Sequence, residues 1–152
     1  MVAARVDVQV GDRVVSVSSP EKEYFPALGE GGRKIAVVEY VVAVGDHLLR
    51  ALRNRPTYLQ RFPDGIQGEE VYQKRVPPKA PDWLPRCTVV FPSRRSAEAL
   101  CPGSVAELVW AVQMGTLTFH PWPSRRPDVE HPDLLRIDLD PQPGTAFQDA
   151  RA

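Results

Sequence analysis

Asp138 and Asp140 are the residues whose spacing most directly suggests chemistry. They lie in Leu134-Leu-Arg-Ile-Asp-Leu-Asp-Pro. Side chains alternate across a strand, so a strand here puts both carboxylates on one face and Ile137 and Leu139 on the other. Two residues along a strand span about 6.6 Å, near enough for the carboxylates to share or bridge hard cations such as Mg2+ or Mn2+. Like charges on one face repel, so an interior position needs a cation. Two solvated aspartates before a Pro-rich loop fit the same D-x-D spacing. The apolar flank of Leu134, Leu135, Ile137 and Leu139 favours a core strand whose end opens into a site.

His120 follows in Leu117-Thr-Phe-His-Pro-Trp, where a strand meets a Pro-rich turn. A histidine there can bond a phosphate or a carboxylate, or simply be a satisfied structural residue. Arg61-Phe-Pro-Asp-Gly and Tyr72-Gln-Lys-Arg supply a third group. Aromatics alternating with cations on strands can stack bases and hold phosphates, with Arg61, Tyr72 and Lys74 as the candidates. Lys22 and Lys34 are further anion candidates, and Lys34 opens a helix whose N–H groups also favour an anion. Surface lysines are more often merely solvated. His47 and His131 read as structural.

The elements that must position these residues are legible in the periodicity. Val6 to Val17 alternates around Gly11-Asp12, which predicts two short strands and a turn. Lys34 to Arg53 carries Val37, Val38, Val41, Val44, Leu48, Leu49 and Leu52 at helical spacing. Thr57 to Phe62 and Glu70 to Val76 predict a hairpin-like pair around Pro63-Asp-Gly. Cys87 to Phe91 predicts another strand. Ser104 and Glu107 have capping-box spacing, ahead of a stripe of Val105, Leu108, Val109 and Val112. Leu117 to His120 and Leu134 to Leu139 close the series as strands. The fold class expected is α+β, or mixed α/β, without a regular βαβ repeat.

Composition sets the outer bounds. At 152 residues, 43% hydrophobic and 25% charged, the chain suits one soluble globular domain. No run approaches the roughly 18 apolar residues of a membrane span, and the first residues form no apolar signal core. A cytoplasmic location is expected. Cys87 and Cys101 lack the close spacing of zinc ligands and read as two reduced, partly buried thiols. The sixteen prolines fall in clusters that mark loops. Net charge is zero, yet residues 50 to 95 hold ten Lys or Arg against four acids. Residues 127 to 152 hold six acids against Arg136 and Arg151. Such a division suits phosphates in one place and metal in another, and also arises on solvated faces.

Taken in order, these pieces resemble the polymerase domain of bacterial ligase D and its stand-alone relatives, in the archaeo-eukaryotic primase superfamily. The matching pieces are Lys22-Glu-Tyr-Phe-Pro, the helix from Lys34 to Val44 with Glu39-Tyr40, Arg61-Phe-Pro-Asp-Gly, and Tyr72-Gln-Lys. Ala80-Pro-Asp-Trp-Leu, Trp110-Ala-Val-Gln, Phe119-His-Pro and Ile137-Asp-Leu-Asp-Pro complete the series. The likeness runs from about residue 14 to residue 144, within a single domain over residues 1–152. It implies a primase-polymerase-like fold and nucleotide addition at gaps or breaks in non-homologous end joining. Asp138 and Asp140 match the first two metal-binding aspartates of a two-metal centre using Mn2+ or Mg2+. His120 matches the histidine that contacts the phosphates of an incoming nucleoside triphosphate. Lys22 and Lys34 match the lysines that hold a DNA 5′-phosphate, and Arg61 and Lys74 fall in the DNA-facing hairpin.

The resemblance has departures. Val71-Tyr72 stands where relatives often have two phenylalanines against the template, which leaves Tyr72 as the stacking aromatic. Ser19 stands where some relatives have asparagine. The family's Ser/Lys triphosphate motif and third metal aspartate come after the matched segment. The expectation is the N-terminal part of such a domain, polymerising slowly or not at all alone. The implied partners are gapped or broken DNA with 5′-phosphates, a DNA ligase and an end-binding protein, at the nucleoid and with no membrane. The competing functions are a non-catalytic 5′-phosphate end-binding module and a two-metal phosphoesterase. The phosphoesterase lacks a further His/Asp cluster.

Overall fold

A computed structural model of the chain describes residues 4–137, 139–140 and 142–151. Strands β1 (Arg5–Val10) and β2 (Arg13–Ser18) form an antiparallel hairpin turning at Gly11, whose φ of 60° favours glycine. A 3-10 segment over Pro26–Gly32 leads into helix α1 (Lys34–Leu52). Then come β3 (Thr57–Arg61), β4 (Val71–Gln73), β5 (Arg86–Val90), β6 (Ser96–Leu100), helix α2 (Val105–Gln113) and β7 (Thr116–Pro121). All pairings of the larger, five-stranded sheet are antiparallel, with β3 at its centre between β7 on one side and β4 and β6 on the other. This is the mixed α+β architecture that the periodicities predict.

The helices cover one face of the sheet. Helix α1 buries Val38, Val41, Leu49 and Leu52, which recur at helical spacing, and packs them against Leu108, Val109 and Val112 of α2. Leu59 of β3 and Leu100 of β6 join the same core. The helices meet closely at Gly45, where a Cβ would run into both methyls of Val105. The start of α2 carries the expected capping box: the Glu107 carboxylate accepts from the N–H of Ser104 at 2.7 Å and from that of Gly103. The other face of the sheet stays open, apart from a small cluster of Val89, Ala97 and Ala99 flanked by Tyr58, Phe91 and Trp122.

One expectation needs correction, and one strand has no counterpart in the periodicity. Residues 134–137, 139 and 140 form no strand, and Leu135, Ile137 and Leu139 are 83%, 75% and 60% exposed. A strand needs a hydrogen-bonded neighbour, and none of the described strands pairs with this stretch. Alternating hydrophobicity alone does not create one. Strand β6 was not expected, because Ser96-Ala-Glu-Ala-Leu has helix-favouring composition. Its five paired positions with β5 override that preference.

Candidate functional site

The backbone brings Lys22 and Lys34 together although they are twelve residues apart. The Lys34 N–H donates to the Lys22 carbonyl at 2.8 Å. The N–H groups of Tyr24 and Phe25 both donate to the Gly32 carbonyl, which folds the intervening loop shut. Ser19 starts this turn at φ 49°, a conformation that asparagine tolerates better than serine. Arg61 arrives from the sheet. The register between β3 and β7 slips at Gln60/Arg61, and such a bulge re-aims the side chain. The guanidinium then donates to the Met114 carbonyl at 2.7 Å and to the Gln73 side chain.

The result is a cleft of about 220 Å³ walled by Ser18, Lys22, Tyr24, Lys34, Arg61 and Gln113. Lys22 Nζ donates to Asp64 Oδ1 at 2.6 Å and to the Pro63 carbonyl. Lys34 Nζ donates to the Ser18 carbonyl at 2.7 Å and to Gln113 Oε1 at 3.0 Å. Burial, with repulsion from Lys22 added, pulls the Lys34 ammonium down to about 8. Burial also lowers the Arg61 guanidinium, and burial raises the Tyr24 phenol. Three cations thus line the cleft beside the C-terminus of α2, whose dipole favours positive charge, and Asp64, outside the lining, pairs with Lys22. Chemically such a set of cations can hold an anion. A larger groove of about 400 Å³ includes Phe25, Leu28, Val41, Leu48 and Phe119; it is apolar and offers nothing to a phosphate.

The other sequence candidates lie elsewhere. Alternation places Gln60 and Tyr72 on the sheet face opposite Leu59 and Arg61. His120 shares that open face: its Nε2 lies 3.3 Å from Gln60 Oε1, and its ring centroid is 5.7 Å from that of Tyr72. Lys74 Nζ sits 5.7 Å over the Tyr58 ring and 5.4 Å over that of Phe91. The hairpin therefore divides its cations between two faces: Arg61 joins the lysine cleft, while Tyr72, Lys74 and His120 form an exposed aromatic and basic surface. Asp140 is exposed and lines a separate cleft with Gln142, Thr145, Phe147 and Asp149. Asp138 lies outside the described residues. Among the described residues, no three His, Cys, Asp or Glu side chains stand close enough to hold a metal ion.

Sequence reasoning gave no role to Gln113, Asp64, Ser18 or Tyr24. Gln113 sits in Trp110-Ala-Val-Gln, but only the packing of α2 against the lysine loop shows which atoms it meets. His131 pairs with Asp128 at 2.9 Å, which lowers that acid and raises the imidazole, on the exposed surface. Cys87 and Cys101 are free thiols with their sulfurs in contact, and burial raises both.

A two-helix layer on an antiparallel sheet thus carries a cleft lined by three cations, and its open face presents Tyr72, Lys74 and His120. The chain belongs to the LigD primase-polymerase domain family, whose description matches residues 33–152. The multifunctional non-homologous end joining protein LigD of Pseudomonas aeruginosa is 37% identical over 141 residues, covering 88% of this chain and 16% of that protein. The bifunctional LigD of Bacillus subtilis is 31% identical over 68% of this chain and 16% of its own length. The polymerase domain of Mycobacterium tuberculosis ligase D, solved in complex with DNA, matches with a TM-score of 0.69 at 27% identity. That match covers 73% of this chain and 38% of the other. The chain therefore spans a small part of the curated relatives it matches. No helix among the described residues is long and apolar enough to cross a membrane.

Proposed function

We propose that this chain recognises 5′-phosphorylated DNA at gaps and breaks as part of a LigD-type polymerase domain. Lys22 and Lys34 hold the phosphate, and Arg61 adds positive charge beside them. Tyr72 and Lys74 offer a stacking and backbone-binding surface for the template, and His120 contacts the phosphates of the incoming nucleotide. The observation that carries this reading is the convergence of Lys22, Lys34 and Arg61 on one cleft whose described lining holds no carboxylate. The DNA-bound relative supports nucleic acid as the ligand class. A DNA ligase and an end-binding protein are the further partners that this reading implies, at the nucleoid.

The reaction proposed is nucleotidyl transfer: a primer 3′-oxygen bonds to the α-phosphorus of a nucleoside triphosphate, and pyrophosphate leaves. Mn2+ or Mg2+ would supply Lewis-acid chemistry, with Asp138 and Asp140 as its first donors. The described donor set does not by itself make a metal cage. What the described residues support directly is phosphate and DNA binding.

The test is fluorescence anisotropy with a short-gap duplex, with and without the 5′-phosphate at the gap. Losing one phosphate held by two lysines costs on the order of 2 kcal/mol, roughly thirtyfold in affinity at low salt. Equal, weak affinity for both duplexes would overturn the reading. Extension of the primer with Mn2+ and nucleoside triphosphates separates a transferase from a binding module.

A further inference from the structure

We infer that Gln113 is the positioning residue of the phosphate cleft: its neutral amide oxygen aims the Lys34 ammonium at the anion without neutralising it. This rests on the reading of the cleft as a 5′-phosphate site.

Gln113 is the last residue of α2. Its Oε1 accepts from Lys34 Nζ at 3.0 Å, from Ser18 Oγ at 3.1 Å and from the Ser18 N–H at 3.3 Å. Three donors converge on one oxygen. Its own Nε2 meets only the Met114 sulfur, at 3.9 Å. The surroundings fix which way the amide points, because an NH2 group in place of the oxygen would face the ammonium's own donors.

The two lysines are held differently. Lys22 sits on the Asp64 carboxylate, so a phosphate must compete with an ion pair for it. Lys34 is held by two neutral acceptors, the Ser18 carbonyl and the Gln113 amide. An ammonium has three N–H donors, so one stays free for a ligand. The other charged or titratable groups lining the cleft are Lys22, Arg61 and Tyr24, and Asp64, just outside it, is already engaged by Lys22. A glutamate at position 113 would place a carboxylate against Lys34 and remove much of the cleft's attraction for an anion. Gln113 thus sets both the direction and the strength of the positive charge.

The same geometry predicts a pH signature. Lys34 loses its proton at about 8, while a phosphate monoester, with a second pKa near 6, stays dianionic above pH 7. The preference for phosphorylated DNA therefore fades between pH 7 and 9.5.

The experiment uses the full 152-residue chain and its Gln113→Glu and Gln113→Met variants, each shown to melt cooperatively. Two readouts are taken: anisotropy with the gapped duplex with and without 5′-phosphate, and NMR titration of the Lys34 side chain. Both variants lose roughly tenfold or more of the phosphate preference at pH 7.5. Their titrations separate: Gln113→Glu raises the Lys34 midpoint by roughly one pH unit or more, and Gln113→Met does not raise it. A structural role alone would weaken both variants without moving the midpoint upward in the glutamate variant. An unchanged preference in Gln113→Glu, or one Lys34 midpoint shared by all three proteins, overturns the inference. If the parent protein shows no phosphate preference, the functional reading of the cleft fails. The Lys34 titration then still decides whether Gln113 holds the ammonium.

Discussion

Lys34→Met removes the charge from the cleft and keeps most of the buried stem. The ammonium is held down to about 8 against an ordinary 10.5. Each pH unit is worth about 1.4 kcal/mol, so a fully sealed ammonium would carry about 3 kcal/mol of cost. Lys34 is only 4% exposed, but polar groups around it and the effective dielectric of a protein interior reduce this to about 1–2 kcal/mol. The substitution leaves the Ser18 carbonyl without its donor, at about 1 kcal/mol. The net effect at pH 7 is therefore between zero and about 1 kcal/mol of stabilisation, or up to about 4 °C in Tm for a chain of this size. The pH dependence has a definite sign. Between pH 8 and 10.5 the unfolded chain still holds the lysine proton and the folded chain has released it, so stability rises with pH. Thermal melts of both proteins from pH 6.5 to 9.5 should show the parent gaining on the variant as pH climbs through 8. A variant that melts many degrees lower at pH 7, with a difference independent of pH, would refute the reasoning and make Lys34 a structural lysine.

Gly45→Ala should destabilise the α1–α2 contact, because the added methyl meets Val105. Overpacking of about 1–3 kcal/mol outweighs or matches the roughly 1 kcal/mol gained in helix propensity, as urea unfolding would measure. Asp133→Asn should lower the melting temperature at pH 7, because Asp133 bridges the buried Arg55 at 2.6 Å and Arg125 at 2.7 Å. Hydrogen bonds from Arg55 and then Arg125 hold its carboxyl down to about 2, so its contribution is present above pH 3.8 and fades as pH falls through 2. Melts of parent and variant should converge over that acid window. Burial raises both thiols, so iodoacetamide at pH 7.5 should modify Cys87 and Cys101 slowly in the folded protein and quickly in denaturant.

The helices were legible because their signals are local. The stripe from Val38 to Leu52 and the Ser104/Glu107 box depend on neighbours within a turn or two, and both stand where the spacing puts them. The hairpins around Gly11 and Pro63-Asp-Gly were legible for the same reason. Strand β6 was not, because pairing with β5 outweighs its composition. The described residues from Leu134 to Asp140 have the pattern of a strand without a partner, so Leu135, Ile137 and Leu139 stand in solvent. The cleft was half legible. Lys22, Lys34 and Arg61 could be named from the family series. Their meeting depends on a loop closed by Gly32, a bulge at Arg61 and the end of α2, none of which is a local pattern. Gln113 and Asp64 gain their roles only from that long-range packing.

The central claim is that these lysines read a DNA 5′-phosphate. The most direct test crosses two perturbations in one thermodynamic cycle: the parent chain against Lys22→Ala/Lys34→Ala, and the gapped duplex with against without its 5′-phosphate, all at low salt. Removing the phosphate should cost the parent roughly thirtyfold in affinity and the double variant little or nothing. A double variant that keeps the full preference for the phosphorylated duplex would contradict the account, because the phosphate would then be held elsewhere on the molecule.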